Sequence, residues 1–506
     1  MSDSFEASSD TGAGNALEPS AEVLGDDTVL AAPRKRGRVA VVAGTIAVAA
    51  VLGAGVAVGM ALSGGGTQPE DVVPAGAVIF ADLDLDPSAG QKVNALRFLR
   101  SFPEVDKKLG AGEDFQQSIV DAVFADSDVN AATQLDPWLG SRFGVAVLSV
   151  DGKAEPMVVL QTTDADAARA SLPDLLKGDA EFTIVDDYVV IAETQQKAEQ
   201  FAAQGASNPL SGSTEFQDAV GSLGDGVATL YVDQAGLGEL AQDGLSGLGG
   251  FTGLGSFGTT GSSVLSGQLG AVLRFQPDAL EVVGSADTSV SALQGRTETL
   301  VAGLPDTTLL ALGFVGGADN VDAQWASVAD SLNAVAGGDF AAEVEQQFGI
   351  RLPADLKTLL GDDLVVAVDG EDLFGGTKAG VRSITDPVAA ADLAKRMQPL
   401  IDEATAGFGV VVEPTEDGLV MATTPDYANQ LAAGDGGLGA TQAFTRAVPN
   451  ANGAQAVAFV DLKSYTQAVA TLGPNADDTF ARLQALGLSV SVSEGRSDLL
   501  LRVTLD

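Results

Sequence analysis

Apolar and polar positions divide the chain into three unlike stretches. Residues 1–38 are mostly small and polar, with few large apolar side chains. Val39 to Leu62, VAVVAGTIAVAAVLGAGVAVGMAL, then runs 24 residues without a charge. A helix of that length reaches about 36 Å, enough to cross a ~30 Å hydrocarbon core with some tilt. After a Ser/Gly-rich linker at 63–68 the pattern changes to alternating and β-branched runs that come in pairs around turn formers. FGVAVLSV and EPMVVLQT flank Asp151-Gly152, FTIV and YVVIAE flank Asp186-Asp187, and LGAVLRF and LEVVGSA flank Gln276-Pro277-Asp278. LSVSVS and DLLLRVTL flank Glu494-Gly495-Arg496. These are hairpin signatures. Helical periodicity lies between them, at 87–102, 164–177, 195–204, 214–223, 322–335, 341–348, 387–404, 426–434 and 464–471. Caps are expected at Asp86, Asp164 and Asp386. Hairpins in series with intervening helices predict an α+β fold, an antiparallel sheet with helices on one face. No dinucleotide or phosphate-loop glycine motif opens a helix after a strand.

The paired pattern repeats. Pro74–Phe80 matches Pro305–Ala311, and Leu139–Val147 matches Leu360–Val368. Thr162–Ala168 matches Ile384–Ala390, EFTIVDDYVVIAET (181–194) matches VVVEPTEDGLVMAT (410–423), and VATLYVDQ (227–234) matches AVAFVDLK (456–463). The order is the same in both halves, which predicts a duplication. The expected organisation is a disordered tail at 1–38, a transmembrane helix at 39–62, a linker at 63–68, and two tandem related domains at 69–295 and 296–506.

Charge gives the hydrophobic segment an orientation. Arg34, Lys35, Arg36 and Arg38 abut it directly. By the positive-inside rule the N-terminus is cytoplasmic and the body extracytoplasmic, placing the protein in the plasma membrane with a single span. A cleaved signal peptide is the rival reading, but a long acidic stretch precedes the bases and the apolar core exceeds the usual 7–15 residues. Gly55 and Gly59 form a GxxxG pair that would suit a homodimer through the transmembrane helix. The chain carries a formal charge of −42. Nucleic acid is excluded as a partner, because a polyanion would be repelled. The chain has neither Cys nor His. That removes disulfides, thiol nucleophiles, Cys- or His-ligated metals and Ser-His-Asp triads. Carboxylate, Lys/Ser or Tyr chemistry and oxygen-ligand metals remain.

PAGAVIFADLDLDP (Pro74–Pro87) followed by a helix, with Trp138-Leu139-Gly140 before a strand, resembles the uncharacterised bacterial domain-of-unknown-function family 3352. The resemblance covers residues 69–506. It implies an exported single-pass protein and brings no activity, catalytic residue or cofactor.

Four features are candidates for function. Thr28, with acids before it and apolar residues after it, looks like the threonine sites of actinobacterial receptor-type kinases, where phosphate would be read by an Arg-bearing domain. The plain alternative is an ordinary threonine in a disordered tail. Asp82, Asp84 and Asp86 share one face of a strand and could converge on Ca²⁺. The bland alternative is a solvated strand face ending in a helix cap at Asp86. Asp233 and Asp461 end equivalent strands, as helix caps or as a paired acid and base. The Gly-rich stretch 236–267 carries Leu245, Leu248, Phe251, Leu254 and Phe257, an apolar lip that could face a membrane or close over an apolar pocket. The favoured reading is a membrane-anchored, non-enzymatic binding or scaffold protein of the cell envelope, with a lipid, another apolar ligand or an envelope protein as partner. A signalling component switched at Thr28, or a carboxylate-dependent hydrolase, are the alternatives.

Overall fold

The computed structural model describes residues 66–103, 105–106, 134–242, 265–288, 297–370, 376–405, 409–451, 453–470, 482–493 and 495–506. The proposed anchor, Thr28 and the five lip residues lie outside them. Among the described residues no helix is long and apolar enough to cross a membrane.

The first half runs β1 (Ala77–Asp84), α1 (Ala89–Arg100), β2 (Leu139–Val150), β3 (Lys153–Thr162), α2 (Ala165–Leu176), β4 (Glu181–Val185) and β5 (Tyr188–Ala192). It continues with α3 (Gln195–Ser207), α4 (Thr214–Val220), β6 (Ala228–Asp233), α5 (Gln234–Gln242), β7 (Leu265–Gln276) and β8 (Ala279–Thr288). The second half runs α6 (Thr297–Ala302), β9 (Thr308–Val315), α7 (Gly317–Ala336), α8 (Phe340–Phe348), α9 (Ala354–Leu360), β10 (Asp363–Asp369) and β11 (Ala379–Ile384). It ends with α10 (Pro387–Ala404), β12 (Val411–Pro414), β13 (Gly418–Ala422), α11 (Pro425–Ala433), α12 (Gln442–Ala447), β14 (Ala456–Asp461), α13 (Leu462–Ala470), β15 (Leu483–Ser493) and β16 (Arg496–Leu505). Turn chemistry closes the hairpins as the sequence predicts. Asp151 and Gly152 both take positive φ between β2 and β3, the conformation that matches strand twist.

The two halves share one antiparallel sheet of sixteen strands, in the order β12-β13-β11-β10-β9-β14-β15-β16-β8-β7-β6-β1-β2-β3-β5-β4. Read outward from the centre, each half has the same strand order. The duplication therefore sits in the topology. Equivalent details recur: Pro74 bridges Pro209, and Pro305 bridges Gly437. A Cβ on Gly270 or on Gly487 would lie 2.2 Å from a helix carbonyl oxygen, that of Ala219 or Ala447. One sequence match is corrected by a residue. Ile191 pairs with Val158 while Met421 pairs with Val381, and the helix caps are Thr194 and Thr424.

The halves meet where β8 pairs with β16. Val283 faces Leu500, and each is the fifth residue of its strand. A strand pairing with its own equivalent in symmetric register is an isologous contact about a local two-fold axis.

Helices cover both faces of the sheet, not one as the hairpin pattern predicts. On the front face of the first half, Val145, Val147, Val158 and Leu160 pack with Phe98 and Leu99 of α1, Leu172 of α2, Leu240 of α5 and Trp138. On the back face, Phe80, Ala146, Met157 and Val159 pack with Val72, Val73, Phe201 of α3 and Phe216 of α4. The physical reason is in the strands. Val145 to Leu148 and Tyr188 to Ala192 are apolar at consecutive positions, so both faces need cover. In the second half the back face is well filled, by Val301 of α6, Tyr427 and Leu431 of α11 and Phe444 of α12. Among the described residues its front face is buried at Leu364 and Ser383 and at the outer edge, where Leu393 of α10 meets Val412 and Leu419.

Candidate functional site

The front face is inverted near the centre of the sheet. Along β15 the small back-face residues Ala485, Gly487 and Ser489 are buried, while the large front-face residues Leu486, Leu488 and Val490 are half-exposed. On β9 the pattern repeats: Ala311 is buried and Leu312 is 42% exposed. Register extends this surface sideways. Leu488 lies opposite Leu501, Leu501 opposite Val282, and Val282 opposite Leu273. One row along, Val490, Leu499, Gly284 and Ala271 are aligned in the same way. The side chains of these rows are uncharged and offer no hydrogen bonds. Because β7, β8, β16 and β15 each have partners on both sides, their backbone groups are already spent on the ladder. Four strands span about 14 Å at the usual spacing. Helix α5 packs against β1, β6 and β7 on one side, and its equivalent α13 against β9 and β15 on the other. The result is an apolar floor astride the local two-fold axis.

The charges of this central region lie on the back face. Arg274 Nε donates to Glu281 Oε2 at 2.8 Å, and Arg502 lies 3.1 Å from the other oxygen of the same carboxylate. Arg446 and Arg502 both reach Asp278, and Arg496 Nη2 donates to Ser285 Oγ at 2.8 Å. Among the described residues these ion pairs lie on the face that α4 and α12 cover, and the large apolar groups of the rows lie on the other.

Asp82, Asp84 and Asp86 do not form a solvated strand face. Asp82 is 6% exposed. Its Oδ1 accepts from the backbone N–H of Thr229 at 2.6 Å. Asp84 pairs across the ladder with Arg142, Nε to Oδ2 at 3.3 Å, and its Oδ1 accepts from the Asp86 N–H at 2.7 Å. Asp86 does not cap α1, whose N-cap is Ser88; it takes the ammonium of buried Lys92 instead. Each carboxylate thus has its own partner. Among the described residues no group of three or more carboxylates is arranged to hold a metal ion.

Over these acids lies the first described segment, residues 66–73. Pro69 is buried against Gly144, where a Cβ would stand 2.8 Å from the proline ring. Tyr188 Oη donates to the Thr67 carbonyl at 2.9 Å, and Val73 is fully buried. Glu70 is thereby carried in beside Asp82. Burial, with Asp71 and Asp84 adding repulsion, pushes the Glu70 carboxyl up to about 7. Burial and Glu70 raise Asp82 well above the carboxylate range, and burial raises Asp84 despite Arg142. Arg142 itself is 2% exposed. Glu70, Arg142 and Tyr188 are members of the cluster that the pattern does not single out. The available signal is Arg142, a base inside the apolar strand LGSRFGVAV, which demands a buried acid beside it.

Asp233 and Asp461 fill the capping role. Asp233 Oδ1 accepts from the Ala235 N–H at 3.1 Å and Asp461 Oδ1 from the Ser464 N–H at 2.9 Å.

No family model and no curated protein matches the chain. Among solved structures, crystal form III of TP0453 aligns at 13% identity over 47% of this chain and 86% of its own, with a TM-score of 0.25, too low to carry an argument.

Proposed function

We propose that the protein is a membrane-anchored, extracytoplasmic, non-catalytic binding protein of the cell envelope whose ligand is a lipid acyl chain held on the apolar floor. The observation that carries this reading is the inversion along β15, where buried Ala485 and Gly487 alternate with half-exposed Leu486 and Leu488. A surface of this kind favours an occupant that asks for no hydrogen bonds. A peptide strand would bring unsatisfied amides to a sheet whose ladder is complete; hydrocarbon brings none. The anchor at 39–62, the outward orientation from Arg34 to Arg38 and the likeness to family 3352 support delivery of this floor to a membrane surface. The hydrolase alternative asks for two acids of raised pKa in a cleft. Glu70 and Asp82 have the raised values, but Asp82 is buried and its Oδ1 is taken by the Thr229 amide.

The test is titration of the purified full-length protein with cis-parinaric acid, whose fluorescence rises in an apolar site. Leu488→Glu and Leu501→Glu put charges on half-exposed floor positions, and each is expected to weaken binding by about tenfold or more, the equivalent of one lost leucine contact. Absence of binding by the unaltered protein, or equal binding by both variants, overturns the reading.

A further inference from the structure

Residues 66–73 join the hydrophobic segment and its linker to the body, and they are fastened by a cluster of groups that no binding role accounts for. Glu70 from this segment meets Asp82 and Asp84 of β1 and Arg142 of β2. Fully ionised, this is three negative charges against one positive in a largely buried site beside Pro69. Glu70 Oε2 and Arg142 Nη2 are both buried without a hydrogen-bond partner, the latter 4.0 Å from Asp86. A hydroxyl on one of the carboxyls would relieve the excess charge, and no other base in the described surroundings does so. Lys92 of α1 is committed to Asp86, while the remaining titratable neighbours, Asp71 on the segment, Asp187 at the β4–β5 turn and Tyr188 on β5, are acids.

We propose that this cluster is a buried proton-binding site, and that its proton holds residues 66–73 on the back face of the sheet. Loss of the proton leaves Glu70 facing Asp82 and Asp84 across a largely buried contact, and the segment lifts. The attachments it leaves are the Tyr188–Thr67 hydrogen bond, the packing of Pro69 on Gly144, the Leu210 N–H donating to the Val73 carbonyl at 2.7 Å, and the Val72–Val73 contact with α3 and Leu210. Released, eight residues add up to about 27 Å of extended reach to the linker. In the membrane-anchored arrangement proposed above, acid holds the body close to the bilayer and alkali lets it out. The proton site itself does not depend on that reading.

Hydrogen exchange of the full-length protein tests this, with rates corrected for intrinsic pH dependence. The amides of Val72 and Val73 both donate to the Pro69 carbonyl and report the seat directly. Between about pH 5.5 and about pH 8.5 their protection is expected to fall at least tenfold, while β2 and β3 amides keep theirs. Glu70→Gln is expected to hold the acid level of protection at both pH values. Tyr188→Phe, which removes a fastening without touching the charge, should lower protection equally at both. Protection at Val72 and Val73 that does not change with pH in the unaltered protein overturns the proposal. So does a pH response that persists in Glu70→Gln.

Discussion

Replacing Glu70 by glutamine keeps the shape of the side chain and removes its charge. In the folded protein the Glu70 carboxyl titrates near 7, against 4.5 for the free group. The folded state therefore binds more protons than the unfolded state between those values, and stability falls as pH rises through that window. The gap corresponds to about 3 kcal/mol, an upper figure because the side chain is not fully enclosed. Below about pH 4.5 the carboxyl is neutral in both states and the term vanishes; above about pH 7 the full cost is present. Urea denaturation of the parent and Glu70→Gln proteins at pH 5, 6, 7 and 8 measures it. The variant should match the parent near the acid end and exceed it by up to about 3 kcal/mol at pH 8, with most of the difference gained between pH 5 and pH 7. The large negative net charge acts on both proteins alike and cancels in the comparison. A difference that is constant with pH, or a variant less stable at pH 8, refutes the placement of Glu70 against Asp82 and Asp84.

Three further outcomes follow from the packing. Gly270→Ala and Gly487→Ala each drive a methyl into a helix carbonyl 2.2 Å away, and each should cost about 2 kcal/mol in urea denaturation, by matching amounts because the sites are equivalent. Glu281→Ala strands Arg274 and Arg502 beside a carboxylate site only 7% exposed. It should cost about 3 kcal/mol, whereas Asp278→Ala, 45% exposed, should cost under about 1 kcal/mol. Trp138→Ala empties a fully buried site and breaks the Nε1 bond to the Gln134 carbonyl; a loss of about 4 kcal/mol is expected from thermal or urea melts.

Local pattern revealed much of this architecture. All nine helical periods correspond to helices, and turn residues such as Asp151-Gly152 mark their hairpins correctly. Among the described residues four helices escaped: α6, α9 and α12, of six or seven residues with little room to show a period, and α5, whose glycines blur it. The two-sided cover was misjudged because hairpin logic assumes one wet face, and YVVIA, apolar throughout, is the kind of strand that breaks the assumption. The acid triad was misread for a related cause. Alternation places Asp82 and Asp84 on one face, but only the fold lays Pro69 over that face and brings Glu70 and Arg142 to it. The floor was invisible for a different reason. LSVSVS reads as an ordinary alternating strand, and the structure buries Ser489 while leaving Leu488 and Val490 half-exposed.

The pairing of β8 with β16 has a consequence for assembly. An edge that accepts its own equivalent in symmetric register accepts the same strand from another molecule equally well. Two chains opened at this seam could close on each other through Val283 and Leu500 with every ladder bond restored. What selects the closed monomer is covalent proximity, an effective concentration of order millimolar for short connections. Cutting the chain between the halves would remove that bias and leave the Arg502–Glu281 and Arg446–Asp278 pairs as the preference for mixed over like pairs. The seam is thus a dimer interface folded into a single polypeptide, in which connectivity favours the closed monomer and these ion pairs mark one half from the other.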